Sequence, residues 1–178
     1  MDLNTIYVNN TSSFNDALKD HNPQQAIFYD LSTDSLFWNR ASLICIPKTI
    51  TASPDIALLC LLQSEAKILN IWQKQWGKNT PTANEFIQYI IAEKRFSNTI
   101  GKPIAAESFW EEYTGTLNGI TAEANFEFTV NEKQKPYEEL LHLKDIRSII
   151  CFDNTWQEQN YFMETEKEWI LYHWATAA

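Results

Sequence analysis

Three histidines, His21, His142 and His173, and three cysteines, Cys45, Cys60 and Cys151, are the side chains of this chain best suited to nucleophilic or metal chemistry. A zinc site needs several such ligands at close spacing, as in CxxC pairs or an HExxH helix, and neither pattern occurs. A Cys–His nucleophile pair such as Cys151 with His173 forms in space and not in sequence, so the sequence leaves it open. Structural roles are the simpler reading. Cys45 and Cys60 sit in the apolar runs Leu43-Ile44-Cys45-Ile46 and Leu58-Leu59-Cys60-Leu61-Leu62, where a thiol acts as a small hydrophobe. His142 falls on a short amphipathic segment, and His173 alternates with Tyr172 and Trp174.

Carboxylates are the more abundant candidates. Glu111-Glu112 and Glu138-Glu139 are adjacent pairs, which a helix separates by about 100°, so they mark solvated faces and not an acid/base dyad. No Asp-x-Asp or spaced acid set suggests a divalent cation. With four glycines, none in GxGxxG or GxxxxGK[ST], phosphate-binding loops of those kinds are absent, and there is no GxSxG elbow or EF-hand pattern. The sequence therefore assigns no catalytic residue, no cofactor and no metal.

Charge is more informative. From Met1 to Ile104 nine acids balance nine Lys/Arg, whereas Ala105 to Ala178 carries fourteen acids against five basic residues, which is the whole net charge of -9. Charge gathered on one half makes a directional field that steers partners of opposite sign. Nucleic acid is disfavoured because its affinity comes from Lys/Arg contacts to phosphate. A membrane surface is disfavoured on the same ground, and the longest apolar run is too short to span a bilayer. The expected partner is a basic protein. The acids expected to meet it are Glu107 and Glu111, which share a face on a helix, with Glu112, Glu123 and Glu127. Trp110, beside Glu111-Glu112, and Trp156, between Asp153 and Glu158, would serve as anchors, since tryptophan is a favoured hot-spot residue.

In kind, an acidic chain with tryptophans set among its carboxylates resembles the small acidic immunity proteins with which bacteria neutralise basic toxic nucleases. The resemblance is one of character and carries no shared motif. It implies a cognate cationic toxin, a non-catalytic inhibitory role and a cytoplasmic site of action. Two other classes fit the composition: an enzyme or small-molecule-binding domain with an aromatic-lined pocket, and a subunit of a larger complex. Met1-Asp2-Leu3-Asn4-Thr5 has no signal-peptide pattern, which with the unpaired cysteines agrees with a cytoplasmic setting.

The elements that must position these residues follow from periodicity. A helix is expected over 11–21, capped by Ser12 or Ser13, then a hairpin of 26–31 and 35–38 and a strand from Ala41 to Ile46. A long helix over 54–76 has Ser53 as cap and Pro54 at its first position, with Leu58, Leu59, Leu62, Leu69 and Trp72 in the core and Glu65 facing water. Thr82-Ala83-Asn84-Glu85 is a capping box that opens a further helix. Gly101-Lys102-Pro103 breaks the chain where the charge balance changes, so a lobe boundary near 101–104 is possible. Beyond it come a helix over 105–114 ended by Gly115, an alternating strand over 122–130 and a short helix from Pro136 to Leu143. A strand over 148–152 and a hairpin of 159–163 with 169–174 complete the chain. Phe126, Phe128 and Ile150 are the expected core contribution of the sheet. Helices and strands are segregated, which predicts a single α+β domain over 1–178 with a mainly antiparallel sheet packed by helices.

Overall fold

The computed structural model describes residues 1–20, 27–30, 39–68, 85, 98–121, 127–130, 133–136 and 145–176. These form helices α1 (Leu3–Asp20), α2 (Pro54–Ile68) and α3 (Ala106–Thr121). The strands are β1 (Ile27–Asp30), β2 (Asn39–Pro47), β3 (Lys102–Pro103), β4 (Glu127–Val130), β5 (Lys133–Pro136), β6 (Ser148–Asn154), β7 (Glu158–Glu164) and β8 (Glu168–Thr176). All eight belong to one sheet in the order β3-β6-β7-β8-β2-β1-β4-β5, with every pairing antiparallel. The fold is α+β, as the segregation of helices and strands predicts.

The central strands explain their own sequences. In β2, Ile44 and Ile46 join one core cluster while Leu43 and Cys45 join another. Strand β8 divides in the same way, with Trp169 and Leu171 on one side and Ile170 and Tyr172 on the other. Side chains alternate across a strand, so the two clusters lie on opposite faces of the sheet. Helices α1 and α2 cover the first face and α3 the second. Strands buried on both sides read as unbroken apolar runs instead of alternating ones, and Leu43-Ile44-Cys45-Ile46 and Trp169-Ile170-Leu171-Tyr172 are such runs.

Helix α2 is buried nearly all round. Ala57, Leu58, Leu59, Cys60, Leu61 and Leu62 are each 1 % exposed or less. Each buried leucine contributes about 1.5–3 kcal/mol from removed apolar surface. Its start matches the expected cap: the Ile56 amide points to Ser53 Oγ at 3.5 Å and the Ala57 amide donates to the Ser53 carbonyl. The stretch 69–76, including Leu69 and Trp72, lies outside the described residues, as do the expected strand 35–38, the helix opening at Thr82, Phe126 and 137–144. Pro136 closes β5.

Four details depart from the sequence reading. Helix α1 begins at Leu3, not near residue 11, because Asp2 already caps it there: its carboxylate accepts from the Asn4 amide and the Thr5 hydroxyl, each at 3.0 Å. Leu3 and Ile6, three residues apart, then bury against α2, and this burial outweighs the weak helix propensity of Thr5, Ile6 and Val8. Helix α3 runs through Gly115 to Thr121, since a side-chain-free position on its exposed side has nothing to lose in packing. Ile150 is half-buried and packs on the edge of the α1/α2 cluster. Glu65 is 1 % exposed and does not face water.

The 101–104 stretch is the edge of the sheet. Lys102 and Pro103 pair with Cys151 and Ile150, and the Gly101 amide donates to the Met1 carbonyl at 2.7 Å. Gly101 is needed for this close approach: a Cβ there would lie 2.4 Å from Ile150 Cγ2 and 2.8 Å from the Phe152 ring.

Candidate functional site

Helix α3 lies across the second face with Phe109 and Tyr113 pointing down. Phe109 stacks against Tyr113 at 5.2 Å and meets Tyr161 and Tyr172 edge-on at 5.1 and 6.1 Å. The fixed inner stripe sets the outer one. Glu107 and Glu111, four residues apart, are exposed, and neither has an ion-pair partner among the described residues. Trp110 is half-buried beside Phe109 and Tyr113, so it belongs more to the packing of the helix than to its outer face.

Glu112 is not an outward-facing acid. Its carboxylate accepts from the Tyr161 hydroxyl at 2.5 Å and from Asn154 Nδ2 at 2.6 Å, which ties α3 to β6 and β7. An adjacent helical residue is rotated by about 100°, which carries Glu112 toward the sheet while Glu111 stays outside. Burial and then the hydrogen bond to Glu112 raise the Tyr161 phenol far above its ordinary value, so it remains a donor. Glu123 lies outside the described residues. Glu127 is in β4, and its side chain is not described.

Trp156 sits in the turn between β6 and β7 and is 70 % exposed. The turn around it is closed by the Thr155 amide, which donates to the Glu158 carbonyl at 2.8 Å. Thr155 Oγ1 accepts from the Gln157 and Glu158 amides at 3.3 and 3.0 Å and donates to the Glu158 carbonyl at 3.2 Å. The indole therefore stands on an ordered backbone, two residues beyond Asn154, whose side chain is held by Glu112.

A second constellation lies on the opposite face. Asp153, Asn160, His173 and Ser42 are cross-strand neighbours on β6, β7, β8 and β2, and Glu65 of α2 closes the row. Asn160 Nδ2 donates to Asp153 at 3.0 Å and to Glu158 at 2.8 Å, so its Oδ1 is the acceptor facing His173 Nδ1 at 2.6 Å. That assignment places a hydrogen on Nδ1 of the imidazole. Ser42 Oγ donates to Glu65 Oε1 at 3.1 Å, which explains why Glu65 is buried. The serine is 3 % exposed and its proton points at a carboxylate, so it is not poised as a nucleophile. The row instead fixes the register of four strands, because a slip of one residue would leave each polar group facing apolar neighbours.

The open question of Cys151 and His173 is settled by the sheet. Cys151 packs with the α3 cluster, whereas His173 shares the face of Trp169 and Leu171. The two are on opposite sides and form no pair. Burial, then Glu112 and Asp153, pushes the Cys151 thiol up to about 11, and burial pushes Cys60 up to about 12. Neither is a thiolate nucleophile near neutral pH. His21 and His142 lie outside the described residues. Among the described residues no group of three or more His, Cys, Asp or Glu could hold a metal ion, and no helix is long and apolar enough to cross a membrane.

The chain matches no protein-family model, no curated protein and no solved structure. The expected site residues thus divide three ways: Glu107, Glu111 and Trp156 stand on the surface, Trp110 and Glu112 are built into the packing, and the side chains of Glu123 and Glu127 are not described. Sequence reasoning missed Asn154 and Thr155, which hold the turn. The signal was present as a Thr-x-x-Glu spacing that recurs at Thr165 to Glu168.

Proposed function

We propose that this protein is a non-catalytic binding protein that docks its acidic C-terminal half on a basic protein. The observation that carries this reading is the outer face of α3, where Glu107 and Glu111 are exposed at helical i, i+4 spacing with no ion-pair partner among the described residues. Like charges at this spacing cost a few tenths of a kcal/mol in the free protein, a cost that a cationic partner removes. Trp156 adds an apolar anchor within the same acidic half. An immunity protein that neutralises a cationic toxin such as a nuclease is the particular form of this function that we favour, because steered association near 10⁸–10⁹ M⁻¹s⁻¹ suits an inhibitor that must act before damage occurs.

The test uses the wild-type protein and the Glu107→Lys/Glu111→Lys double variant as baits for partners from the native cell. The captured partner is then measured by surface plasmon resonance over a salt series. The expected partner is basic and associates more slowly as salt rises past about 0.15 M, where the screening length is about 8 Å. The double variant should lose on-rate while its melting temperature stays the same or rises. Salt-independent association, or full binding by the double variant, would reduce the acidic face to a solubility feature. Rescue of cell growth when the protein is co-expressed with its captured partner tests the immunity role.

A further inference from the structure

On its β6 side the sheet ends in a strand of two residues. Strand β6 carries Ser148-Ile149-Ile150-Cys151-Phe152, an uncharged run rich in β-branched and aromatic residues, the kind that pairs readily with a copy of itself when its edge is open. Lys102 and Pro103 lie beside it, and both are exposed. A very short edge strand, a lysine and a proline each blunt the edge of a sheet, and all three meet here. Among the described residues the other end of the sheet is β5, which closes on the same dipeptide, Lys135-Pro136. Lys133 and Lys135 are two of the five basic residues of the acidic half.

The main-chain groups of the β3 edge account for themselves one by one. The Ile104 amide donates to the Ile149 carbonyl at 3.1 Å, and Lys102 pairs with Cys151. Alternate residues of an antiparallel strand turn these groups to opposite sides, so Lys102 and Ile104 face β6 while Gly101 and Pro103 face outward. Pro103 has no N–H to offer. Gly101 is occupied: its amide donates to the Met1 carbonyl at 2.7 Å, and its carbonyl accepts from the Met1 nitrogen at 2.9 Å. The Thr99 carbonyl accepts from the Leu3 amide at 3.0 Å. No outward N–H at 101 or 103 is left for a further strand.

Helix α1 holds Met1–Leu3 on this edge. Asp2 bridges Ile100 through its main chain and caps the helix with its carboxylate. Leu3 and Ile6 are buried against α2, and Asn10 Nδ2 donates to the Ile6 carbonyl at 2.9 Å and to Asp55 of α2 at 3.4 Å. Thr5, Ile6, Val8, Asn9, Asn10 and Thr11 give α1 little helix propensity of its own, so its cap and its packing decide whether it forms. When its first turn frays, Met1–Leu3 leave with it. The Gly101 amide is then uncovered beside Ile100, which is already 54 % exposed.

We infer that Met1–Leu3 is a guard strap, held by α1, that closes the outer edge of the sheet to strand addition by a second copy of the chain. The inference is independent of the docking surface proposed on α3.

The test reads amide exchange by NMR and mass by sedimentation velocity over a concentration series, on the full-length protein. In the wild type the Gly101 amide should exchange slowly and the protein should sediment as a monomer throughout. Asp2→Ala removes an exposed cap and leaves the main-chain bonds of the strap possible. Its Gly101 amide should exchange about five-fold faster, the typical worth of an N-cap, while the amides of β2 and β8 keep their protection. Asp2→Ala/Leu3→Ala/Pro103→Val frees the strap and restores the missing N–H. Its mass should climb toward that of a dimer as concentration rises, with the amides of 101 and 103 slowed again. If this variant loses the protection of β2 and β8, Asp2→Ala/Pro103→Val is read in its place. A Gly101 amide that is unprotected in the wild type, or unchanged in Asp2→Ala, overturns the strap. So does an opened variant that stays monomeric at every concentration, or Pro103→Val alone associating as strongly as the opened variant.

Discussion

The two ends of the sheet use the same turn for opposite purposes. Thr165 Oγ1 accepts from the Lys167 and Glu168 amides and donates to the Glu168 carbonyl, as Thr155 Oγ1 does in its own turn. Around Thr165 everything is tied down. Lys48 bonds Glu164 and sits 4.7 Å above the Trp169 ring, Ser148 Oγ donates to the other Glu164 oxygen, and the Lys48 amide donates to the Lys167 carbonyl in the turn itself. Trp169, 3 % exposed, stacks on Phe162 and donates its Nε1–H to the Thr51 carbonyl at 2.9 Å. Around Thr155 the turn is equally ordered, yet its tryptophan is left outside. The same residue type is a keystone at one end and a surface group at the other. The two indoles hold different positions, Trp156 after the threonine of one turn and Trp169 after the glutamate of the other, so place in the hairpin and what each ring touches decide the role.

The sharpest way to break this comparison is to truncate both tryptophans. Trp169→Ala should cost about 3–5 kcal/mol by chemical denaturation, whereas Trp156→Ala should stay within about 0.5 kcal/mol of wild type. Comparable losses would end the distinction. Leu62→Ala, in the fully buried part of α2, should cost about 2–5 kcal/mol, and a loss below about half a kcal/mol would place the helix at the surface.

Next in size is the polar tie beneath the exposed end. Tyr161→Phe removes the hydroxyl bonded to Glu112 and should lower stability by about 1–3 kcal/mol, because the half-buried carboxylate loses a donor. An unchanged melting temperature would show that the Tyr161–Glu112 bond contributes nothing to holding α3 on the sheet.

The smallest effect concerns the buttressed end. Hydrogen bonding from Lys48, helped by Ser148, holds the Glu164 carboxyl below its ordinary 4.5. A carboxyl lowered in the folded state stabilises at pH values above its unfolded value, and that contribution is lost as pH falls through the folded value. Glu164→Gln should therefore be less stable than wild type at pH 7 by no more than about 1 kcal/mol, given the partial exposure of the pair. The gap should narrow as pH falls below the ordinary 4.5 and through the lowered folded value. A gap that acid leaves unchanged would assign the effect to shape and not to charge.

Much of this architecture is legible in the chain because it rests on local rules. Ser53-Pro54-Asp55 announces α2, and the apolar runs of β2 and β8 announce buried strands. What is not legible is where a polar side chain finds its partner. Glu65 follows a helical pattern that suits solvent, yet Ser42, on a distant strand, accounts for its burial. Glu112 looks like its neighbour Glu111 until Tyr161 and Asn154 arrive from the sheet. Asp2 was readable in principle as a cap, but Thr5, Ile6 and Val8 favour strands and mask it. Outward and inward acids differ only by tertiary contact, and so the candidate surface could be named as a region but not residue by residue.

Strand β8 has one more consequence, for the order in which the molecule takes shape. It fills the gap between β7 and β2, so Cys45 and Ile44 find their partners in Ile170 and Leu171, which a ribosome makes long after them. Until then the apolar surface of β2 and α2 that β8 covers is without that lid. Pairings so distant along the chain close late and slowly. The nascent protein thus carries this apolar surface uncovered until β8 pairs, and that pairing also removes it from aggregation.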